Sequence, residues 1–371
     1  MFIKQSLLSK LCPKSLFVRR CNIHFYSNNF RDIENVSIPT VLFPKGKYAY
    51  VGESVQAILS GLDSSPMFSA APSATVAELN VAHDEHYIKR VFDGTLSKAE
   101  LQKLGFSWSE SMVKRVTGSA GATIAAMRYV CSQNAFVDTE GVLVDFDHRS
   151  TVACHLGGGT HHAFYDYGEG FCVFNDLAIA AILALREYPQ VVRRVLVVDL
   201  DVHQGNGTVG IVNKLDGLSE KVWTFSMHCE GNIFSPVEYS TVDIALPRGC
   251  SDAVYLEKLG ASLPCLFDEH KPDLVLYQSG VDAHGDDRLG KCSLTAVGLS
   301  QRNKLLFQAI KDYNSSAAAA AARSGDNVGY CRLVVTMGGG YPRSIDPDSG
   351  SFQHVVQLHS NVFTEAFHMF R

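Results

Sequence analysis

Three side chains able to bind a metal or move a proton follow one another at spacing two in Val195-Leu-Val-Val-Asp199-Leu-Asp201-Val-His203-Gln-Gly-Asn206-Gly207. The four apolar residues before them read as a buried strand. On an extended chain that spacing puts Asp199, Asp201 and His203 on one face. Two carboxylates and an imidazole converging at a strand end are costly to bury without a cation between them. A later apolar run ends in Gln278-Ser-Gly-Val-Asp282 and brings another carboxylate to the same rim. Asp201, His203 and Asp282 then form a three-ligand site with positions left open for water and substrate, as a catalytic metal requires.

Three other segments carry polar groups at the ends of apolar runs. His155-Leu-Gly-Gly-Gly-Thr-His161-His162 places adjacent imidazoles after a glycine turn, and histidine titrates close enough to neutrality for acid–base work. Met337-Gly-Gly-Gly-Tyr341 offers close backbone approach and a hydroxyl donor suited to an oxyanion. In Gly168-Glu-Gly170-Phe171-Cys172, the Phe can wall a narrow channel. Cys172 has no activating base in view and reads as a small buried residue. Each segment alone has a plainer reading: a capping Asp, a core or surface His, a glycine turn beside a packed Tyr. Their coincidence at strand ends favours a site.

The elements that must position these groups are apolar or β-branched runs at 40–43, 152–156, 195–200, 222–227, 274–277 and 333–337. Between them lie segments of helical spacing at 176–187, 252–267 and 295–313, with Asn175 or Asp176 and Thr295 as N-caps. Continuous apolar strands alternating with helices imply a mostly parallel sheet covered on both faces, in one α/β domain. Ligands of such sheets bind beyond the carboxyl ends of the strands. The alanine-rich stretch 315–322 is expected to extend the preceding helix or form a surface insertion.

The chain has 371 residues, 46% hydrophobic and 19% charged, an ordinary globular composition that excludes a largely disordered or fibrous protein. No apolar run is long enough to span a membrane. All 38 acidic residues lie beyond position 31, whereas residues 1–31 hold Lys4, Lys10, Lys14, Arg19, Arg20 and Arg31. The acidic body repels phosphate backbones, so direct nucleic-acid binding is not expected. The basic, acid-free stretch 1–31 has the composition of a transit peptide or of a disordered basic tail. A domain over 36–371 and an organelle matrix, mitochondrial rather than plastid, are the corresponding expectations, with cytoplasm or nucleus as the alternative. Ten cysteines without a Cys-x-x-Cys pair suggest neither a disulfide framework nor a thiolate metal site.

The motifs HLGGGTHHA, GFCVFND, VVDLDVHQGNGT, SGVDAHGDDRLG and GGGY, in this order, resemble the zinc-dependent histone deacetylase superfamily. The resemblance runs from about Val81 to Tyr341 and includes His83-Asp-Glu-His-Tyr87 and Gly121-Ala-Thr-Ile124. The HQGNG variant and Gly105-Phe-Ser-Trp108-Ser are closer to class IV and bacterial deacetylase-like members. The resemblance implies one arginase-like α/β/α domain around an eight-stranded parallel sheet. It implies one Zn²⁺ on Asp201, His203 and Asp282, and His162 as general base then acid. His161 would give electrostatic support, oriented by Asp199, and Tyr341 would donate to the oxyanion. It further implies a structural K⁺ at Asp199, Asp201, His203, Ser226 and Met227. Phe171, beside Gly170, would wall an acyl-lysine tunnel, with Leu289 near its mouth and Phe234 opposite.

Two positions depart from the class I pattern. Asn206 stands where those enzymes place an aspartate behind the second histidine, so it holds the ring without adding charge. The acidic residue that grips the substrate backbone has no clear counterpart, Glu110 being the nearest. The reading is a hydrolase that removes acetyl or longer acyl groups from lysine side chains of proteins. Its alternatives are an acetylpolyamine or other small-molecule amidohydrolase, and a catalytically silent module that binds acyl-lysine. Leu289 stands where polyamine-specific members have a glutamate. The sequence leaves the oligomeric state open.

Overall fold

A computed structural model describes residues 23–27, 43–44, 46–62, 66–132, 136–137, 143–144, 152–232, 236–324 and 330–371. In chain order the strands are β1 (Ile23–Ser27), β2 (Met67–Ala70), β3 (Phe136–Val137), β4 (Leu143–Val144), β5 (Val152–His155), β6 (Val195–Asp199), β7 (Val222–Cys229), β8 (Val242–Leu246), β9 (Leu274–Gln278) and β10 (Arg332–Thr336). The helices are α1 (Lys47–Ser60), α2 (Val76–Leu79), α3 (Glu85–Asp93), α4 (Lys98–Leu104), α5 (Glu110–Ser132), α6 (Asp176–Glu187), α7 (Asn206–Lys214), α8 (Asp252–His270), α9 (Ala296–Ser324) and α10 (Gly350–Phe370).

Among the described residues, eight strands make one sheet in the order β2-β1-β5-β10-β9-β6-β7-β8, every neighbouring pair parallel. β3 and β4 pair antiparallel apart from it. The central strands are apolar without interruption because both their faces are covered. Leu196 and Val198 of β6, with Val275 and Tyr277 of β9, face a core closed by α1, α8, α9 and α10. Val195 and Val197, with Leu274 and Leu276, face the opposite core under α3, α5 and α6. The expected three-layer α/β/α domain is therefore present.

Local signals behave as their chemistry requires. Asn175 caps α6 by accepting the Ala178 N–H at 2.9 Å, and the Thr295 hydroxyl accepts the Gly298 N–H at 3.0 Å at the start of α9. The alanine-rich stretch continues α9 to Ser324. No helix of the described residues is long and apolar enough to cross a membrane.

The amino-terminal boundary is corrected. β1 lies inside the stretch 1–31 expected to be a leader or tail, and it sits between β2 and β5 with Ile23 and Phe25 fully buried. Its first three residues are buried and its last two half-buried, and the basic composition around so short a segment hides it. The sheet thus includes residues that precede 36. The strand expected at 40–43 lies outside the described residues except for Phe43, which is not in a strand.

Deleting residues 1–31 is expected to abolish cooperative thermal unfolding, and Phe25→Ala to cost about 3–5 kcal/mol by chemical denaturation. An unchanged unfolding midpoint in the deletion variant would remove β1 from the fold.

Candidate metal centre

The carboxyl ends of the four central strands β5, β10, β9 and β6 open onto one rim, and the loops that follow them carry the candidate residues. β6 stops at Asp199, and the chain then bends, so Asp199, Asp201 and His203 do not share an extended face as expected. A chain of turns does the work instead. Asp199 accepts the Asp201 N–H at 3.2 Å, and Asp201 accepts the His203 N–H at 3.0 Å. Such side-chain-to-backbone bonds two residues on are how Asp fixes a turn.

β9 neighbours β6, so the loop after Gln278 carries Asp282 toward this turn. His203 Nδ1 lies 3.0 Å from Asp201 Oδ1 and 3.2 Å from Asp282 Oδ2. One ligand atom from each of Asp201, His203 and Asp282 lies within 4.8 Å of the others, and all three residues are buried. Burial, then the neighbouring Asp201 carboxylate, pushes Asp282 up to about 7. A divalent cation among these groups removes that conflict, and two carboxylates with one imidazole suit it chemically. The residues fit a metal.

The carboxylates are held by donors from the end of β9 and from the loops after β6 and β10. Asp201 Oδ2 accepts from Gln278 Nε2 at 2.9 Å and from the Gly339 N–H at 2.8 Å; Asp282 Oδ1 accepts the Val202 N–H at 2.9 Å. A Cβ at Gly339 would collide with both carboxylates, which explains one glycine of the Gly338–Gly340 run.

The two adjacent histidines are buried, with ring centroids 4.0 Å apart, yet they have different partners. His161 Nδ1 donates to Asp199 Oδ2 at 2.6 Å, while His162 Nδ1 donates to Asn206 Oδ1 at 2.7 Å. Burial disfavours charge on His161, but Asp199 and Asp201 override it and lift the ring to about 9. Burial, His161 and His203 hold His162 well below the ordinary imidazole range. One ring thus favours its charged form and the other its neutral form.

His161, His162, Asp201 and His203 line one cavity together with Gly170, Phe171, Leu289 and Tyr341. Burial, then Asp201 and Asp282, raises the Tyr341 phenol well above its usual value, so it keeps its proton. Phe171 adopts φ 66°, uncommon for a residue with a side chain, and its ring packs against Phe43 and Phe106 and stands 6.0 Å from that of Tyr341. Gly170 at φ 56° lies so close to His162 that a Cβ there would sit 2.8 Å from its Cδ2. Cys172 is buried and burial pushes its thiol up, consistent with a packing role. Ser226 pairs with Asp199 across β6 and β7, and Met227 follows it, buried. Glu110 is exposed at the start of α5 and does not line the cavity. Phe234 lies outside the described residues.

Several residues of this site escaped sequence reasoning. Lys47 of α1 is 2% exposed, lines the cavity, and donates to Gly340 O at 3.0 Å; burial lowers it to about 8. Arg302 of α9 is wholly buried and donates to Ser279 O at 3.1 Å, Gly280 O at 2.6 Å and Leu200 O at 3.1 Å, clamping the loops that carry Asp201 and Asp282. Asp287 accepts the N–H groups of Tyr341 at 2.6 Å and of Leu289 and Gly290 at 2.8 Å. Glu169 is buried and accepts from Asn206 Nδ2 at 2.8 Å. Asp287 and Glu169 stand inside quoted motifs and were open to notice. Lys47 and Arg302 sit on helices far away in sequence, with no local signal.

The sequence is similar to known proteins. A histone deacetylase domain model matches residues 42–355. An uncharacterized protein of Picosynechococcus sp. is 37% identical over 271 residues, 72% of this chain and 77% of that protein. Acetoin utilization protein AcuC of Staphylococcus aureus is 31% identical over 243 residues, 61% of this chain and 58% of AcuC. Histone deacetylase 18 of Arabidopsis thaliana is 34% identical over 165 residues, 40% of this chain and 24% of that protein.

Asp282→Asn is expected to leave well under one metal per chain after loading with Zn²⁺ or Co²⁺ and gel filtration, measured by elemental analysis. A stoichiometric content would overturn the ligand assignment.

Proposed function

Starting from the chain's membership of the histone deacetylase family, we propose that it hydrolyses the amide of acetylated, or longer acylated, lysine side chains in proteins. The observation that carries this reading is that two unequal histidines and a protonated tyrosine line one cavity with Asp201 and His203, members of the buried Asp201–His203–Asp282 cluster. Zn²⁺ held by Asp201, His203 and Asp282 supplies Lewis acidity toward the acyl carbonyl and water.

The other roles belong to side chains. His162, with its Nδ1 proton engaged by Asn206, offers Nε2 to take a proton from the attacking water and to return it to the lysine amine. His161, charged beside Asp199, stabilises negative charge that grows in the cavity. Tyr341 donates its hydroxyl proton in a hydrogen bond to the oxyanion. Phe171 flanks the methylenes of the lysine, and Leu289 stands at the mouth. An apolar residue there supports a lysine side chain over an acetylated polyamine, whose second amine calls for an acid. A structural K⁺ at Asp199, Asp201, His203, Ser226 and Met227 belongs to the same reading, supported by the pairing of Asp199 with Ser226.

The test compares acetyl-lysine peptides, longer acyl-lysine peptides and acetylspermidine, with and without chelator. Chelator-sensitive turnover of an acyl-lysine peptide is expected. Turnover of acetylspermidine alone would overturn the substrate class, and bound metal with no turnover of any would favour a silent binding module. Tyr341→Phe is expected to lower kcat by about 10²–10³-fold at unchanged metal content; an unchanged kcat would remove Tyr341 from the chemistry.

A further inference from the structure

An aspartate behind His162 would present acceptors whichever way it turned. Asn206 has a donor end and an acceptor end, so its orientation decides which proton arrangement the ring adopts. With Oδ1 toward the ring, His162 carries its proton on Nδ1 and keeps a lone pair on Nε2, the nitrogen available to a reacting water. With the amide reversed, Nδ2 would face Nδ1, the proton would move to Nε2, and that nitrogen would have no lone pair with which to take a proton from water.

Three groups bear on that choice. The Gly207 N–H donates to Asn206 Oδ1 at 3.0 Å. On the other side Asn206 Nδ2 donates to Pro236 O at 3.2 Å and to Glu169 Oε1 at 2.8 Å. An ionised carboxylate only accepts, and its bond to an amide N–H is charge-assisted, so Glu169 is the strongest of the three selectors. Its carboxylate is brought in by a pinned loop. Gly170 N–H donates to Lys103 O at 3.1 Å, Phe171 N–H to Leu104 O at 3.0 Å, and Cys172 N–H to Glu169 O at 2.9 Å. Glu169 is 4% exposed, unusual for a carboxylate that has no ion pair among the described residues; burial raises its carboxyl, and the Asn206 hydrogen bond and then the charge of Lys103 oppose that.

We propose that Glu169 is a positioning residue for His162, acting through Asn206 by fixing the orientation of its amide and hence the tautomer of the ring. The loop that carries Phe171 to the cavity wall thereby also sets the proton-accepting nitrogen. The inference rests on His162 as the proton-transfer group of the proposed reaction.

The experiment uses the full chain loaded with Zn²⁺, with Glu169→Ala and Glu169→Gln each made in the Asn206 and Asn206→Asp backgrounds. The readouts are kcat, KM, and the ¹⁵N signals of the His162 ring, identified by their loss in His162→Ala. Glu169→Ala is expected to lower kcat by about tenfold or more, with KM and zinc content within about twofold, and to move the ring signals toward the Nε2–H tautomer. Glu169→Gln still offers a carbonyl oxygen to Asn206 and is expected to recover most of the loss. In the Asn206→Asp background Glu169→Ala is expected to produce no further fall, because a carboxylate has no donor end to orient. An equal fall in both backgrounds, or ring signals unchanged in Glu169→Ala, would overturn the proposal. If Glu169→Ala does not fold, Glu169→Met, of similar length and without an acceptor, takes its place in the same test. A wild-type chain without turnover would defeat the functional reading, whereas the ring signals would still decide the role of Glu169.

Discussion

Holding two carboxylates face to face inside a protein is the constraint around which this molecule is arranged. Asp201 and Asp282 are essentially inaccessible to solvent, and each arrives from the end of a different strand. Placing them together requires β6 and β9 to be neighbours, and the sheet order makes them so. The loops must stay put against the repulsion, and Arg302 meets that need from behind by binding carbonyls on both. Its charge also offsets, through the intervening backbone, part of the negative charge in front of it. The glycines after β10 complete the enclosure, since only a backbone without a side chain fits beside the two carboxylates at Gly339.

The histidine pair shows how surroundings give different properties to identical side chains that are adjacent in sequence. A full carboxylate backs His161, and a neutral amide backs His162. Two charged rings 4.0 Å apart would repel strongly at low dielectric. Giving the compensating anion to one ring settles which of them is charged. The second carboxylate, Glu169, stands one residue further out, so its influence arrives as geometry more than as field.

Much of this arrangement was legible from residue types. Apolar runs ending in Asp, His or glycine pointed to a parallel sheet with a metal site at its carboxyl edge, because burial and periodicity act locally and leave a local record. Asp201, His203 and Asp282 were found this way, although a chain of turns, and not an extended face, brings the first two together. β1 was hidden because its apolar residues are embedded in a basic stretch and because its partners β2 and β5 are distant in sequence. Lys47 and Arg302 were invisible for a related reason. A buried cation on a helix looks like a surface one until the carbonyls it meets are known, and those carbonyls belong to residues up to about three hundred positions away.

The place of β10 in the sheet has a consequence for how the chain assembles. β2, β1 and β5 form one group of strands and β9, β6, β7 and β8 another, and β10 is the strand that joins them. It is also the last strand of the described residues to leave the ribosome. Until residues 332–336 are made, the two groups have exposed inner edges, and such edges invite pairing with other chains. The histidine loop after β5 and the carboxylate loops after β6 and β9 lie on opposite sides of that gap. Long-range closure of this kind is slow: Asp201, His203 and Asp282 all belong to one strand group, so what the joining of the halves adds late is the histidine pair facing them.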